Sequence, residues 1–272
     1  MRYGGNTSCV DVQLADGTRV VLDAGTGIRG LGAALPAAGP SRAGGRPVIT
    51  VVLTHRHSDH LIGLAHFSPI ITRSHQVRIA CGGVAAAALR TIVEQQLSAP
   101  LFPTLDGVTD ALSVEAFDDA GCFRVSATCD VQAIPARHPG GASVLVVRDA
   151  TGPVLAYAPD NELSFADAET SVLSWRLSLM ESLRRIPVLI HDATYTDDEL
   201  ARHRGWGHSS AAEATQLAIA CRADVLLLTH HHPDRTDTQV DALAEQCRAL
   251  GAAAGSSLVV VAAAEGMSLE VA

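Results

Sequence analysis

Several short apolar runs in this chain end at residues that bind metal ions well. Residues 48–54, VITVVLT, form a continuous run rich in β-branched side chains, which predicts a strand buried on both faces. His55 follows this run, while Asp160, Asp192 and His230 lie at or just beyond the ends of three later apolar runs. Loops at strand ends carry ligands over a rigid sheet in layered α/β folds. The pattern therefore predicts one site assembled from distant segments.

Strands and helices intermix along the chain, and no repeat or linker divides it. A hairpin is predicted at residues 11–25, around an Asp16-Gly17 turn. Loops are predicted from the Gly-rich segment at 24–32 up to Pro47 and over 98–107. We expect one α/β domain over residues 1–272. The remaining predicted strands are 122–127, 131–135, 143–149, 154–160, 188–194, 225–229 and 258–262, and the predicted helices are 84–97, 171–185, 209–222 and 236–250.

Composition narrows the class of protein. A chain of 272 residues with 47% hydrophobic residues can bury a sizeable core, as compact α/β proteins do. The net charge of −9 argues against a broad basic surface that would bind phosphate groups, so nucleic acid is not the expected partner. The six cysteines form no C-x-x-C pair, and no apolar run reaches the roughly 18 residues that cross a bilayer. We expect a cytoplasmic protein with reduced thiols and no membrane partner.

The strongest local signal is THRHSDHLIG at residues 54–63. His55 and His57 can reach one cation from a tight loop, and Asp59 and His60 can reach a second one close by. The alternative is a polar loop that caps the following helix. We favour the metal site because four good ligands rarely cluster in so short a stretch behind a buried strand.

This segment resembles the H-x-H-x-D-H signature of the metallo-β-lactamase superfamily, and further family signatures follow in order. PARHPGG supplies His138, YAPDN supplies Asp160 and LLLTHHH supplies His230. The resemblance implies an αββα sandwich with two metal ions, with Asp160 and a hydroxide between them. By the same resemblance, metal one is bound by His55, His57 and His138, and metal two by Asp59, His60 and His230.

The types of ligand indicate which metal ions and which class of reaction to expect. Imidazole and carboxylate donors without thiolate suit Zn²⁺ best, with Mn²⁺ or Fe as alternatives. The lactamase branch with a cysteine ligand is disfavoured, because Asp160 holds the bridging position and Cys221 lies in a predicted helix. The flavodiiron branch has Glu where this chain has His57, which favours hydrolysis over redox chemistry.

Two further motifs resemble those that ribonuclease Z and its smaller phosphodiesterase relatives use together. They are HDAT at 191–194 and GWGHSSAAEA at 205–214. The resemblance implies that Asp192 orients His208, which acts as the general acid, and that Asp59 is catalytic as well as a ligand. This chain has Asp192 where ribonuclease Z typically has Glu. The alternative is that His208 merely precedes a helix cap.

We therefore expect a dinuclear metal-dependent phosphodiesterase that acts on small or cyclic phosphodiesters, with the bridging hydroxide as nucleophile. A tRNA 3′-processing endonuclease is disfavoured by the net charge and by the lack of a Gly- and Lys-rich arm. A lactone or thioester hydrolase would use the same seven ligands but not the pair of Asp192 and His208. A non-enzymatic, metal-stabilised sensor would also not need His208. The oligomeric state is left open, with a homodimer as one option.

Some polar residues near the motifs keep more than one interpretation. Asp23 matches the family's early Asp-x-Gly segment, and we expect it to support ligands rather than bind metal. His231 and His232 are expected in the loop that leaves the last ligand. Arg137 and Arg235 flank the expected site and could meet a phosphate.

Overall fold

The computed structural model describes residues 2–35, 46–103, 107–165 and 169–271, and the chain divides into two compact units. The N-terminal unit is Asn6–Ala133, and the C-terminal unit is Met1–Gly5 with Ile134–Ala272. Each unit has its own hydrophobic core. The single domain over residues 1–272 stays a prediction. Residues 36–45 and 104–106 of the two predicted loops lie outside the described residues.

The N-terminal unit is built on a five-stranded sheet in the order β1-β2-β3-β4-β5. A hairpin joins the antiparallel strands β1 and β2, as predicted, and the other neighbours pair in parallel. The strands are β1 Val10–Gln13, β2 Arg19–Leu22, β3 Val48–Leu53, β4 Gln76–Gly82 and β5 Leu112–Phe117, and the helices are α1 Ile28–Ala34, α2 Ser68–Ile71 and α3 Ala86–Gln96. Short 3-10 helices span Ser58–His60, Ile62–His66 and Val108–Ala111.

The central strand of this sheet, β3, confirms the prediction made from its apolar run. It is buried from Ile49 to Leu53 and pairs on both sides. By contrast, β4 and β5 are missing from the sequence-based prediction. Charged residues interrupt the apolar patterns of both strands. In the fold these charges pair across the two strands, where Arg78 Nε lies 3.0 Å from Glu115 Oε1. A single strand's sequence does not show that its charge meets a partner on the next one.

The antiparallel strands β6 Cys122–Arg124 and β7 Asp130–Ala136 follow, and β7 carries the chain into the C-terminal unit. There, strands lie in the order β12-β11-β10-β9-β8, with β8 antiparallel and the other neighbours parallel. The strands are β8 Ala142–Asp149, β9 Gly152–Ala158, β10 Val188–Asp192, β11 Val225–Thr229 and β12 Val259–Ala262, and the helices are α4 Thr170–Ser182, α5 Asp197–Leu200, α6 Ala211–Cys221 and α7 Asp237–Ala253.

Helix α6 shows how local sequence sets an element in this unit. Ser210 caps it by accepting a hydrogen bond from the Glu213 backbone N–H. Its small side chains let the helix pack closely, and Cys221 is fully buried at its end. Burial raises the pKa of the Cys221 thiol to about 12. The Cys221 thiol also lies 3.6 Å from the Met180 carbonyl, as fits a structural thiol of the core. No helix among the described residues is long and apolar enough to cross a membrane.

Helix α4 offers a matched test of the core packing. Leu179 is 1% exposed, whereas Leu177, two residues earlier on the same helix, is 64% exposed. We expect Leu179→Ala to lower the free energy of unfolding by about 2–5 kcal/mol, because it leaves a cavity in the C-terminal core. Leu177→Ala is expected to change it by no more than about 0.5 kcal/mol. Urea unfolding of both variants measures the difference, and equal losses would contradict the assigned packing.

Candidate functional site

The H-x-H-x-D-H loop of the N-terminal unit begins directly after β3 and gathers three imidazole rings. The ring of His55 lies 4.5 Å from that of His57 and 4.3 Å from that of His60, measured between centroids. His55 and His60 are buried, and His57 is exposed. His60 Nε2 also lies 3.2 Å from Asp59 Oδ2. The four residues predicted as ligands in this unit are therefore together in space.

A buried carboxylate, Asp23, orients this loop from the end of β2. It accepts hydrogen bonds from the Thr54 backbone N–H at 2.7 Å and from the Thr54 hydroxyl at 2.9 Å. Its Oδ2 also accepts one from His60 Nδ1 at 2.7 Å. The Thr54 hydroxyl lies 3.0 Å from His55 Nδ1 as well. Because both Nδ1 atoms are engaged, Nε2 is the nitrogen of each ring that could bind a metal ion.

The C-terminal unit brings its own candidates to one sheet edge. Strands β9, β10 and β11 run in parallel, so Asp160, Asp192 and His230 all lie at their carboxyl ends. Asp160 is 4% exposed, and its two oxygens face different imidazoles: Oδ2 lies 3.5 Å from His138 Nε2, and Oδ1 lies 3.4 Å from His230 Nε2. A carboxylate shared between two cations needs this kind of arrangement.

Asp192 joins two histidines of this edge into one network. Its Oδ2 accepts a hydrogen bond from His208 Nδ1 at 2.8 Å, and its Oδ1 accepts one from the Thr194 backbone N–H at 2.9 Å. The Thr194 hydroxyl lies 2.8 Å from Asp192 Oδ1 and 3.1 Å from His230 Nδ1. Asp160, His208 and His230 each offer a ligand atom within 4.8 Å of one another. The donor set thus fits a divalent cation, with Nε2 again the nitrogen left for binding.

Comparison with known proteins identifies the fold family. A family model described as a Beta-lactamase superfamily domain matches residues 18–231, more than half of the chain. The chain belongs to the metallo-β-lactamase superfamily. Its enzymes are metal-dependent hydrolases that bind divalent cations, and this member carries a matching His/Asp cluster. The α/β class and the metallo-β-lactamase fold predicted from the sequence are confirmed.

Solved structures of this superfamily match nearly the whole chain. The metallo-β-lactamase fold protein YhfI from Bacillus subtilis is 17% identical, with a TM-score of 0.70, and the match covers 99% of this chain and 96% of that one. Human tRNase Z, short form, is 18% identical, with a TM-score of 0.63 and coverage of 100% and 96%. A diphosphatase from the PhnP family is 18% identical, with a TM-score of 0.59 and coverage of 97% and 85%. At these identities the likeness shows the fold.

Curated relatives match over short segments. Ribonuclease Z of Pyrobaculum calidifontis is 42% identical over 62 residues, which are 21% of this chain and 22% of the relative. Ribonuclease Z of Halalkalibacterium halodurans is 42% identical over 52 residues, 19% of this chain and 17% of the relative. The matches thus span about a fifth of each relative's length.

The two histidines that follow His230 in this metallo-β-lactamase family member have structural partners. His231 Nε2 donates to the Ala263 carbonyl at 3.1 Å, and burial lowers the pKa of His231. His232 Nδ1 accepts from the Asp234 backbone N–H at 3.3 Å. Of the three consecutive histidines, His230 alone takes part in the network around Asp192.

The two arginines considered for phosphate binding are also engaged. Arg235 Nη2 donates to Glu199 Oε2 at 2.7 Å and to the Thr194 carbonyl at 2.9 Å, so it holds the chain beyond β10. The Arg137 guanidinium lies 5.7 Å from the centroid of the Trp175 ring. Sequence reasoning missed Thr54 and Thr194, although each lies beside a motif residue, one before His55 and one two residues after Asp192.

Gly63 tests how tightly the ligand loop is packed. A Cβ atom there would lie 2.0 Å from the Gly25 carbonyl oxygen, whereas one at Gly30 on α1 would meet nothing within 4 Å. We expect Gly63→Ala to lower the free energy of unfolding by more than about 2 kcal/mol, because backbone must move. Gly30→Ala should leave it unchanged or raise it by up to about 1 kcal/mol. Thermal unfolding compares the two, and a tolerated Gly63→Ala would refute the close approach.

Proposed function

We propose that this protein is a dinuclear metal-dependent phosphodiesterase for small or cyclic phosphodiesters. The hydrogen bond from His208 Nδ1 to Asp192 Oδ2 carries the proposal, because metal binding alone does not require such a pair. The Asp192 side chain is fully buried, while the His208 side chain is 16% exposed and can be reached by a substrate. An accessible imidazole backed by a buried carboxylate is a suitable proton donor.

The proposed metal ligands follow the family signatures. His55, His57 and His138 would hold one cation, and Asp59, His60 and His230 the other, with Asp160 shared. Zn²⁺ is the first choice for this donor set, with Mn²⁺ or Fe as alternatives. Two bound cations would supply an acidified water and would neutralise charge that develops on the phosphoryl oxygens.

The protein's own part in the reaction is proton transfer. Asp192 accepts the Nδ1–H of His208, which leaves Nε2 to carry the proton that is given away. His208 passes this proton to the leaving oxygen as its bond to phosphorus breaks, so the product departs as an alcohol. Thr194 keeps Asp192 from turning, because it engages the other carboxylate oxygen.

A second candidate is tRNA 3′ processing, favoured by the short matches to ribonuclease Z. The net charge of −9 weighs against it, since binding to a polyphosphate backbone depends on cationic contacts. A panel of cyclic mononucleotides, cyclic dinucleotides, tRNA precursors, lactones and thioesters, assayed with Zn²⁺ and with Mn²⁺, separates the candidates. Turnover of the small phosphodiesters is expected. Turnover confined to tRNA precursors would favour the second candidate, and turnover confined to esters would reject both.

His208→Ala tests the proton donor directly. We expect kcat on diphenyl phosphate to fall by about 10²–10⁴, because the basic phenolate oxygen loses its acid. Metal content should stay at the wild-type level, since the proposed ligands are intact. The exposed His66 lies outside the proposed site, so His66→Ala serves as the control and should keep wild-type turnover. Unchanged turnover in His208→Ala would remove His208 from the mechanism, and loss of metal would make it a ligand instead.

A further inference from the structure

The buried carboxylate of Glu162 holds a loop that two histidines of the site share. Glu162 lies two residues after Asp160 and is 5% exposed. Its Oε2 accepts hydrogen bonds from the Gly205 backbone N–H at 2.8 Å and from the Gly207 backbone N–H at 3.0 Å. Its Oε1 accepts one from the Ser164 hydroxyl at 2.9 Å. The carboxylate is thus stabilised by oriented N–H and O–H groups.

The conformation of the loop needs this acceptor. Gly205 and Gly207 have φ values of +83° and +85°, so both adopt the left-handed region that favours glycine. Alternate N–H groups in such a loop turn towards one point and form a concave anion site. Here the anion is the side chain of Glu162 itself. Without it, both N–H groups would lose this acceptor, and the one on Gly207 is buried.

The other side of the loop contacts the histidines. The Gly207 carbonyl accepts a hydrogen bond from His138 Nδ1 at 3.0 Å, which turns His138 Nε2 towards Asp160. A Cβ atom on Gly207 would lie 2.2 Å from His138 Nδ1, so loop and ring are in close contact. His208 is the next residue, and its Nδ1 meets Asp192. A shift of the loop would therefore move His138 and His208 together.

The segment that carries Glu162 is itself anchored beside the same histidine. The Glu162 backbone N–H donates to the Arg137 carbonyl at 2.9 Å, next to His138 in the chain. The Leu163 backbone N–H donates to the Ser209 hydroxyl at 3.0 Å, next to His208. Glu162 thus lies between the two segments whose histidines it affects.

We propose that Glu162 is a positioning residue that, through the Gly205–Gly207 loop, holds His208 in place to protonate the leaving oxygen. This inference rests on the proposed phosphodiesterase function. A good leaving group such as 4-nitrophenolate needs little protonation, whereas the more basic phenolate needs the acid. Misplacement of His208 therefore slows hydrolysis of diphenyl phosphate more than that of bis(4-nitrophenyl) phosphate. A purely structural role of Glu162 would lower the two rates by the same factor.

The test compares kcat on the two substrates for wild type, Glu162→Gln and Glu213→Gln. Glu213 is the matched control: it is also buried, but it accepts its hydrogen bond from the Phe165 backbone N–H rather than from Gly205 and Gly207. Glu162→Gln should shift the ratio of the two kcat values by about tenfold or more in favour of bis(4-nitrophenyl) phosphate. Glu213→Gln should leave the ratio unchanged. An unchanged ratio in Glu162→Gln overturns the proposal.

A double variant and a second loop variant complete the design. Added to His208→Ala, Glu162→Gln should shift the ratio no further, because the acid it positions is gone, and a further shift would overturn the proposal. Gly205→Ala perturbs the loop from its open side, where a Cβ atom meets nothing within 4 Å, and it leaves the buried carboxylate intact. It should shift the ratio in the same direction even if Glu162→Gln does not fold. An equal loss on both substrates would again overturn the proposal.

A spectroscopic readout separates this proposal from the proposed function. In the metal-free wild type, the hydrogen-bonded Nδ1 protons of His138 and His208 should give low-field NMR signals. Glu162→Gln or Gly205→Ala should shift or broaden them, and Glu213→Gln should not. If the wild type hydrolyses neither phosphodiester, the phosphodiesterase proposal fails, while these signals still decide the positioning of the histidines. Unmoved signals in both loop variants would overturn the role of Glu162.

Discussion

Two buried aspartates at the ends of parallel strands fix the imidazoles on which this protein depends. Asp23 follows β2, and Asp192 ends β10. Each is fully buried, and burial of a carboxylate is costly unless hydrogen bonds replace the lost water. In both cases the shortest of these bonds come from one threonine, through its backbone N–H and its hydroxyl, and from one imidazole Nδ1. The need to satisfy a buried charge thus orients the functional groups.

The same network occurs once in each unit. The hydroxyl of Thr54 touches His55 Nδ1 in addition to Asp23, and the hydroxyl of Thr194 touches His230 Nδ1 in addition to Asp192. Each aspartate therefore orients one histidine directly and another through threonine. Asp23 and His230 adopt left-handed φ values of +60° and +56°, which are costly for residues other than glycine. The networks hold these strained residues in place.

Much of this arrangement could be predicted from the sequence, because it depends on local signals. The apolar run of β3 and the ligand loop behind it are contiguous, and the pairing of Asp192 with His208 follows from two short motifs. The remainder depends on long-range register. Thr194 meets His230 because β10 pairs with β11 so that Asp192 lies opposite Thr229. Glu162 accepts a hydrogen bond from the glycine loop more than forty residues later in the chain, and no local sequence pattern predicts this contact.

The central proposal is that Asp160 is shared by two divalent cations, one on the side of His138 and one on the side of His230. An anomalous diffraction map from crystals grown with Zn²⁺ tests it directly. We expect two peaks per chain, one contacted by His138 and the other by His230, with Asp160 touching both. A single peak, or two peaks of which Asp160 contacts only one, would contradict it.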